Sequence, residues 1–234
     1  MIFRLAVALS VLLATTIVVH ADARSVALRA ADGTPLAGAL YEPFNRPAPG
    51  VVLIHMLTRS KADWGATAER LRQAGFVVLA VDLRGHGASS GTTLGSGDLG
   101  VLIQDAQAAV AYLRSRPGVA PGRVGIAGAS LGASLAALVA STDLSIRSLA
   151  LLSPALDYRG VKCEAALRKY GDRPALLVAA SGDPYAMRSV KQLAAKAVNR
   201  EVLITDALGH GTVLLARQPI LMDQLVDWFR RTLL

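Results

Sequence analysis

The chain has 234 residues, of which 53% are hydrophobic and 18% are charged, and its formal net charge is +8. These values exclude a disordered protein, and the length suits one folded domain. The basic residues are scattered, with the pair Arg230-Arg231 as their densest spot, which argues against a nucleic-acid-binding protein. The charge therefore indicates a basic soluble surface, and a loose affinity for anionic envelope surfaces stays open.

The first 23 residues have the pattern of a secretory signal peptide. Arg4 is a short positive start, and Leu5–Val19 is an uncharged apolar run of 15 residues. Small residues in Val19-His20-Ala21 and Ala21-Asp22-Ala23 suit a signal peptidase. Because a membrane span usually needs about 20 apolar residues, we expect cleavage and export to the periplasm or the extracellular space, with residues 24–234 as one domain. An uncleaved membrane anchor is the alternative.

The predicted secondary structure begins with a hairpin and then alternates strands with helices. Ser25–Ala30 and Leu36–Tyr41 flank the turn Asp32-Gly33, and Val51–Ile54 is an apolar run typical of a strand buried on both faces. An antiparallel start followed by repeated βα units predicts an α/β fold with a mostly parallel sheet of about eight strands, flanked by helices. The other predicted strands are 76–81, 123–127, 148–152, 175–180 and 201–205, and the predicted helices are 62–74, 98–114, 131–140, 186–197 and 218–233.

The segment Gly128-Ala129-Ser130-Leu131-Gly132 follows the apolar strand Val124–Ala127 and opens a predicted helix. This is the context of a nucleophile elbow, in which a sharp turn holds a serine and small residues two positions away avoid clashes. The amino end of the helix also favours the negative charge that develops during acyl transfer.

Further segments stand where an α/β-hydrolase carries its motifs: Val51–His55, Asp82–Ser89 with the pattern D-x-R-G-x-G-x-S, Ser181–Pro184 and Leu208–Gly211. From about Val26 to the C-terminus the chain resembles the α/β-hydrolase superfamily, and in particular its small lidless esterase and dienelactone-hydrolase-like branch. The order serine, aspartate, histidine along the chain is the order used by that superfamily.

The resemblance implies a role for each member of a catalytic triad. Ser130 would be the nucleophile, and His210 would take its proton and later protonate the leaving group. Asp183 would hold the imidazole in the correct tautomer. The same Asp183 could also serve as a helix N-cap, and Asp157, after the strand 148–152, is the rival acid.

The resemblance also implies two backbone N–H donors for an oxyanion hole. One would come from Leu131, and the other from Leu57 or, as second choice, Met56, which stands where the superfamily usually has glycine. His55 and His86 would line the site and order its loops, with a direct chemical role as the less favoured interpretation.

Other site chemistries find little support in the sequence. The only cysteine, Cys163, is interpreted as a small packed residue, and neither metal-ligand spacing nor a phosphate- or dinucleotide-binding loop is complete. We therefore expect neither metal nor organic cofactor. Only Ser153–Pro174 separate two predicted strands where many relatives insert a lid, which leaves room for one short helix, 162–170, and predicts an open site.

The sequence thus predicts an exported serine hydrolase that cleaves carboxylic esters, lactones or thioesters through an acyl-enzyme on Ser130. A small ester-type molecule is the expected partner, without nucleic acid and without stable membrane insertion after signal cleavage. A serine peptidase or an acyltransferase with the same triad is the alternative, and a non-catalytic binding module is a remote one. The sequence carries no indication of oligomeric state.

Overall fold

A computed structural model describes residues 23–92, 99–195 and 197–234. Residues 1–22, which make up nearly all of the predicted signal peptide, lie outside the described residues, as does Asp98 at the predicted start of one helix. Within the described ranges, no helix combines the length and the apolar character needed to cross a bilayer.

An eight-stranded sheet forms the centre of the fold. Six of its strands are parallel, while β1 and β2 form an antiparallel hairpin at one edge, so the predicted α/β-hydrolase architecture is confirmed. In spatial order the strands are β1 (Arg24–Arg29), β2 (Pro35–Tyr41), β4 (Val77–Val81), β3 (Ala48–Ile54), β5 (Val119–Ala129), β6 (Ile146–Leu152), β9 (Ala175–Ala180) and β10 (Arg200–Thr205).

Helices cover both faces of this sheet, because the strands are apolar on both sides. In β3, for example, Val52 and Ile54 belong to the core under one helical layer, and Val51 and Leu53 to the core under the other. One layer holds α2 (Leu99–Arg114), α3 (Leu131–Thr142), α4 (Cys163–Tyr170) and α5 (Pro184–Ala194), and the other holds α1 (Gly65–Gln73), α6 (Val213–Arg217) and α7 (Ile220–Leu233).

The structure extends or divides some predicted elements. β3 begins at Ala48, three residues before its predicted start, and pairs there with Val119, and β5 accordingly begins four residues before its predicted start. The predicted helix 62–74 is a 3-10 turn over Lys61–Trp64 followed by α1. A two-stranded hairpin, β7 (Asp157–Tyr158) and β8 (Val161–Lys162), and the short α6 were not predicted.

Candidate active site

Ser130 occupies the turn between β5 and α3 with a backbone conformation that L-residues rarely adopt, φ 51° and ψ −112°. Its N–H donates to the carbonyl of Leu152 at 2.9 Å, and its own carbonyl accepts from the first turn of α3. Strained residues of this kind persist only where the surroundings over-determine them, and they concentrate at functional sites. The turn places the Ser130 side chain at the carboxyl end of the central strand.

Gly128 and Gly132 permit this turn because there is no space for a side chain at either position. A Cβ on Gly128 would overlap with the backbone of Gly132, and a Cβ on Gly132 would overlap with the carbonyl oxygens of Ile54 and His55. The two glycines therefore let α3 approach both β5 and the end of β3.

Substitution of Gly128 by alanine should lower the free energy of unfolding by about 3 kcal/mol or more, because rigid backbone cannot move aside for the added methyl group. Urea unfolding monitored by circular dichroism measures this change. Gly65→Ala is the matched control, since Gly65 has φ −52° and its nearest neighbour lies at 3.8 Å. That variant should be as stable as the parent or slightly more so. A Gly128→Ala protein of parental stability would contradict this explanation of the elbow.

The structure brings Ser130, His210 and Asp183 into one chain of hydrogen bonds. Ser130 Oγ lies 2.8 Å from His210 Nε2, and His210 Nδ1 lies 2.6 Å from Asp183 Oδ2. Because an ionised carboxylate can only accept, His210 carries its proton on Nδ1 and offers Nε2 to the serine hydroxyl. This is the arrangement in which a histidine can remove a proton from serine.

Asp183 uses its second oxygen for another purpose. Its Oδ1 accepts the backbone N–H of Ala186 at 3.0 Å and caps the amino end of α5. The sequence left N-cap and triad acid as competing interpretations, and the structure combines them in one carboxylate. The cap fixes the carboxylate relative to α5 and so directs Oδ2 toward His210.

The rival acid, Asp157, lies elsewhere in the structure. It belongs to the β7–β8 hairpin, is exposed, and its Oδ1 accepts the N–H of Gly160 at 2.7 Å. Tyr185, two residues after Asp183, donates its hydroxyl to the Asp157 carbonyl at 3.2 Å. The Asp157 carboxylate thus closes a surface turn, and its hydrogen bond is to that turn and not to His210.

The loop after β3 forms a tight turn in which the Arg59 N–H donates to the Met56 carbonyl at 3.2 Å. Leu57 and Thr58 are the central residues of this turn, and Thr58 has a φ of 61°, an unusual value for a β-branched residue. Leu131 is the first residue of α3, directly after Ser130. Ile54, at the end of β3, pairs with Gly128, so the loop that carries Met56 and Leu57 begins beside the elbow, and Leu131 directly follows Ser130.

His55 and His86 form hydrogen bonds that hold this turn and its surroundings, and both nitrogens of each ring take part in them. His55 Nε2 accepts from Leu83 N–H at 3.0 Å and its Nδ1 donates to the Met56 carbonyl at 2.7 Å. His86 Nε2 accepts from Thr58 N–H at 3.3 Å, and its Nδ1 donates to the carbonyl of Arg84. Burial lowers the pKa of His55, which keeps that ring neutral. Both residues therefore order the loops beside the site.

The D-x-R-G-x-G-x-S motif organises the loop after β4. The buried Asp82 carboxylate accepts backbone N–H groups from Lys61 and Ala88 and also pairs with the Lys61 ammonium. Arg84 makes a charged pair with the buried Asp105 of α2 and a second with Asp32. These contacts give the motif a structural role beneath the turn at Met56–Arg59.

Four residues that the sequence did not single out, Ser153, Thr212, Asp63 and Arg59, hold the loop that carries His210. Ser153 Oγ accepts the N–H of Gly211 at 3.0 Å, and the buried Thr212 donates its hydroxyl to Asp63 Oδ2 at 2.7 Å. Arg59 donates to both oxygens of Asp63. Burial acts to raise the pKa of Asp63, but the hydrogen bonds from Arg59 and Thr212 outweigh it and lower that pKa.

The Asp63–Thr212 hydrogen bond thus ties the His210 loop to the loop after β3. We expect Thr212→Val to lower kcat about tenfold with a smaller change in KM, because small displacements of a catalytic base are costly. Asp63→Ala should have a similar effect, and the double variant should be little worse than either single one, because both remove one interaction. Thr212→Ser keeps the hydroxyl and should keep kcat. Steady-state kinetics on a soluble ester tests this, and strictly multiplicative losses would contradict the coupling.

Cys163 lies at the start of α4 and is fully buried, and burial raises its pKa to about 12. It is therefore a packed core residue and not a nucleophile. In the part of the chain that the structure describes, no group of three or more His, Cys, Asp or Glu side chains could hold a metal ion.

Comparison with known proteins extends these observations. The model of the family described as serine aminopeptidase, S33, matches residues 45–214. A polyketide transferase, ATR5, of Stachybotrys chlorohalonatus is 31% identical over 134 residues, which are 57% of this chain and 45% of that protein. A thiohydrolase, aneE, of Aspergillus aculeatus is 30% identical over 129 residues, which are 54% of this chain and 40% of that protein. The chain therefore spans under half the length of these two relatives.

A solved structure shares the fold over nearly the whole domain. The dienelactone hydrolase of Anabaena variabilis superposes with a TM-score of 0.75 at 19% identity, covering 91% of this chain and 98% of that one. Because the family match covers well over half of the chain, including the elbow, Asp183 and His210, the protein belongs to the serine aminopeptidase S33 family of α/β-hydrolases.

Proposed function

We propose that the protein is a serine hydrolase that cleaves carboxylic esters, lactones or thioesters through an acyl-enzyme on Ser130. The observation that carries the proposal is the continuous hydrogen-bond chain from Ser130 through His210 to Asp183. Hydrolase chemistry is common to the family, and the proposal adds the nucleophile, the covalent intermediate and the substrate class.

The mechanism follows from the geometry of these groups. His210 Nε2 removes the hydroxyl proton while Ser130 Oγ attacks the carbonyl carbon of the substrate. The N–H of Leu131, with that of Leu57 or Met56, stabilises the oxyanion. His210 then protonates the leaving alcohol or thiol, the acyl-enzyme forms, and an activated water releases the acid by the reverse sequence. Asp183 keeps the tautomer and stabilises the imidazolium.

The substrate class is inferred from the shape of the site and from the relatives. The His210 side chain is 44% exposed, and only a short hairpin and α4 stand between β6 and β9, so the described residues leave the site open to solvent. One relative is named a thiohydrolase, and one protein of the same fold is named a dienelactone hydrolase. Thioesters and lactones carry activated acyl groups. Such groups need less leaving-group assistance than amides, which suits an open site.

A panel of substrates tests this proposal on the full chain. We expect turnover of short p-nitrophenyl esters and acyl thioesters and much slower turnover of aminoacyl anilides. Turnover confined to the anilides would overturn the proposal in favour of a peptidase.

Acyl transfer is the second candidate, favoured by the open site and by the relative named as a polyketide transferase. An added alcohol or amine could reach an acyl-enzyme as easily as water can. If transfer dominates, product analysis by mass spectrometry in the presence of added alcohol will show more ester than free acid.

We also propose that the protein is exported, as the pattern of residues 1–23 indicates. Fractionation of expressing cells, followed by mass spectrometry of the amino terminus, should find a mature chain that starts near residue 22 or 24 in the exported fraction. A full-length chain that remains in the cytoplasmic fraction would contradict export.

A further inference from the structure

The end of the sheet opposite the active site is rich in arginine. The parallel strands begin there, and β2 and α7 end there. Its loops contact one another in series: Ala48 N–H donates to Gly118, Arg114 pairs with Asp143, Arg173 donates to Ile146, and Asn199 donates to Asp172. We call this end the basal face and define it by residues 23–24, 42–47, 73–76, 114–123, 142–147, 170–174, 197–201 and 230–234.

The basal face carries most of the net charge of the protein. Its segments contain ten arginines and four acidic residues, a net charge of +6, where the whole chain has +8. The described segments at the opposite, carboxyl end of the strands contain six cationic and six acidic residues and are neutral. Those segments are 30–34, 55–64, 82–92, 130, 153–162, 181–184 and 206–219. The fold therefore places ten of the 20 arginines of the sequence at one end, where few acidic residues balance them.

Many of these arginines have no acidic partner. Four of the ten basal arginines pair with Glu42, Asp143 or Glu201. The other six form no salt bridge to any residue that the structure describes: Arg116, Arg123, Arg147, Arg173, Arg200 and Arg230. Arg173 and Arg200 donate instead to backbone carbonyls, including those that end α3 and α4. Of the six, Arg123, Arg147 and Arg230 are exposed, and their charge is available to an external anion.

Exposed apolar side chains stand among these charges. Phe44, Val198 and Leu144 are 97%, 86% and 75% exposed, more than any other large hydrophobic side chain described, and Leu234 is 62% exposed. A single exposed hydrophobic residue is ordinary. Here the three most exposed ones all occupy the basic end, whereas Leu208, 67% exposed, lies at the opposite end. Apolar side chains set among arginines are the combination that binds the interface of an anionic bilayer.

The position of β1 in the sequence and in the fold also favours the basal face as the side that meets a membrane. The apolar run Leu5–Val19 precedes β1 in the sequence, and β1 begins at Arg24, on the basal face beside Glu42. While residues 1–23 hold the chain at a membrane, the basal face is therefore the end of the domain nearest to that membrane.

We propose that the basal face docks on an anionic phospholipid bilayer. The arginines contact lipid phosphates, and Phe44, Leu144 and Val198 enter the headgroup region. Docking of this kind leaves the elbow at the far end of strands roughly 20 Å long. The active site then faces away from the bilayer, toward substrates dissolved in the surrounding solution.

Vesicle co-sedimentation of the full chain tests the proposal, with phosphatidylcholine vesicles that contain or lack phosphatidylglycerol. The test variant reverses three unpaired basal charges, Arg116→Glu, Arg123→Glu and Arg147→Glu. The control reverses three exposed charges outside the basal face, Lys162→Glu, Arg188→Glu and Lys191→Glu. Both variants change the net charge equally and keep residues 1–23, and circular dichroism verifies that both are folded.

We expect the parent chain to prefer the phosphatidylglycerol vesicles and to lose binding at high salt. The basal variant should bind them at least tenfold more weakly than the parent, whereas the control should lose less than threefold, since only basic residues close to the bilayer surface contribute to the attraction. Phe44→Asp should weaken binding further. Equal losses in both variants, or equal binding to both kinds of vesicle, would overturn the proposal. So would a basal variant that keeps vesicle binding but loses affinity for duplex DNA.

Discussion

Replacement of Ser130 by alanine is expected to lower kcat for a p-nitrophenyl ester by roughly 10⁴- to 10⁶-fold, the range seen when a triad nucleophile is removed. The reason is geometric. Ser130 Oγ is the atom that His210 can deprotonate. Among the described residues, Cys163 is buried and the imidazoles of His55 and His86 are both engaged in hydrogen bonds, so none of these three can replace it. Steady-state kinetics and labelling by a fluorophosphonate probe measure the effect.

The control for this prediction is the stability of the Ser130→Ala protein. Alanine removes only the Oγ atom, so the Ser130→Ala protein should unfold at nearly the parental urea concentration. His210→Ala should be as inactive as Ser130→Ala, and the double variant no worse, because the two side chains act as a unit. Equal fluorophosphonate labelling of parent and Ser130→Ala proteins would show that another residue is the nucleophile.

Asp183→Asn should lower kcat by roughly 10⁴-fold while it leaves stability almost unchanged. An asparagine no longer enforces the His210 tautomer that presents Nε2 as an acceptor, and loss of that tautomer has this cost in serine proteases. Asparagine is, however, as good an N-cap as aspartate, so the hydrogen bond to Ala186 and the start of α5 survive. Kinetics combined with urea unfolding separates the two roles of the side chain.

Two companion variants make this prediction specific. Asp183→Ala should lose the cap as well, at a cost of about 1 kcal/mol in the free energy of unfolding. Asp157→Asn should keep kcat, since its carboxylate closes the β7–β8 turn. Loss of activity in Asp157→Asn with an active Asp183→Asn protein would reverse the assignment of the acid.

Local patterns predicted most of the fold and much of the site. Buried parallel strands are continuous apolar runs, so β9 was predicted with its observed bounds, and the glycines of the elbow indicate a close backbone approach that the structure confirms. Asp183 and His210 follow successive strands, and the carboxyl ends of parallel strands meet at one edge. Their proximity to Ser130 was therefore predictable from topology.

The remaining features depend on contacts between distant segments. Asp63 and Thr212 are separated by 149 positions and Ser153 and Gly211 by 58, and no local pattern relates them. β5 begins at Val119 because Ala48 of β3 pairs with it, although Pro121 and Gly122 indicate a loop. The position of ten arginines at the basal face is likewise a property of the fold, since the sequence spreads these ten over more than two hundred residues.

The position of β10 at the rim of the sheet has a consequence for how activity is lost. β10 pairs only with β9 among the strands described, and the loop that follows it carries His210. Outer strands open at a lower free energy than central ones. Warming or mild denaturant should therefore separate the base from the nucleophile while Ser130, on the central β5, stays in place. Inactivation would then precede the loss of the core, and amide exchange in β10 would report its midpoint.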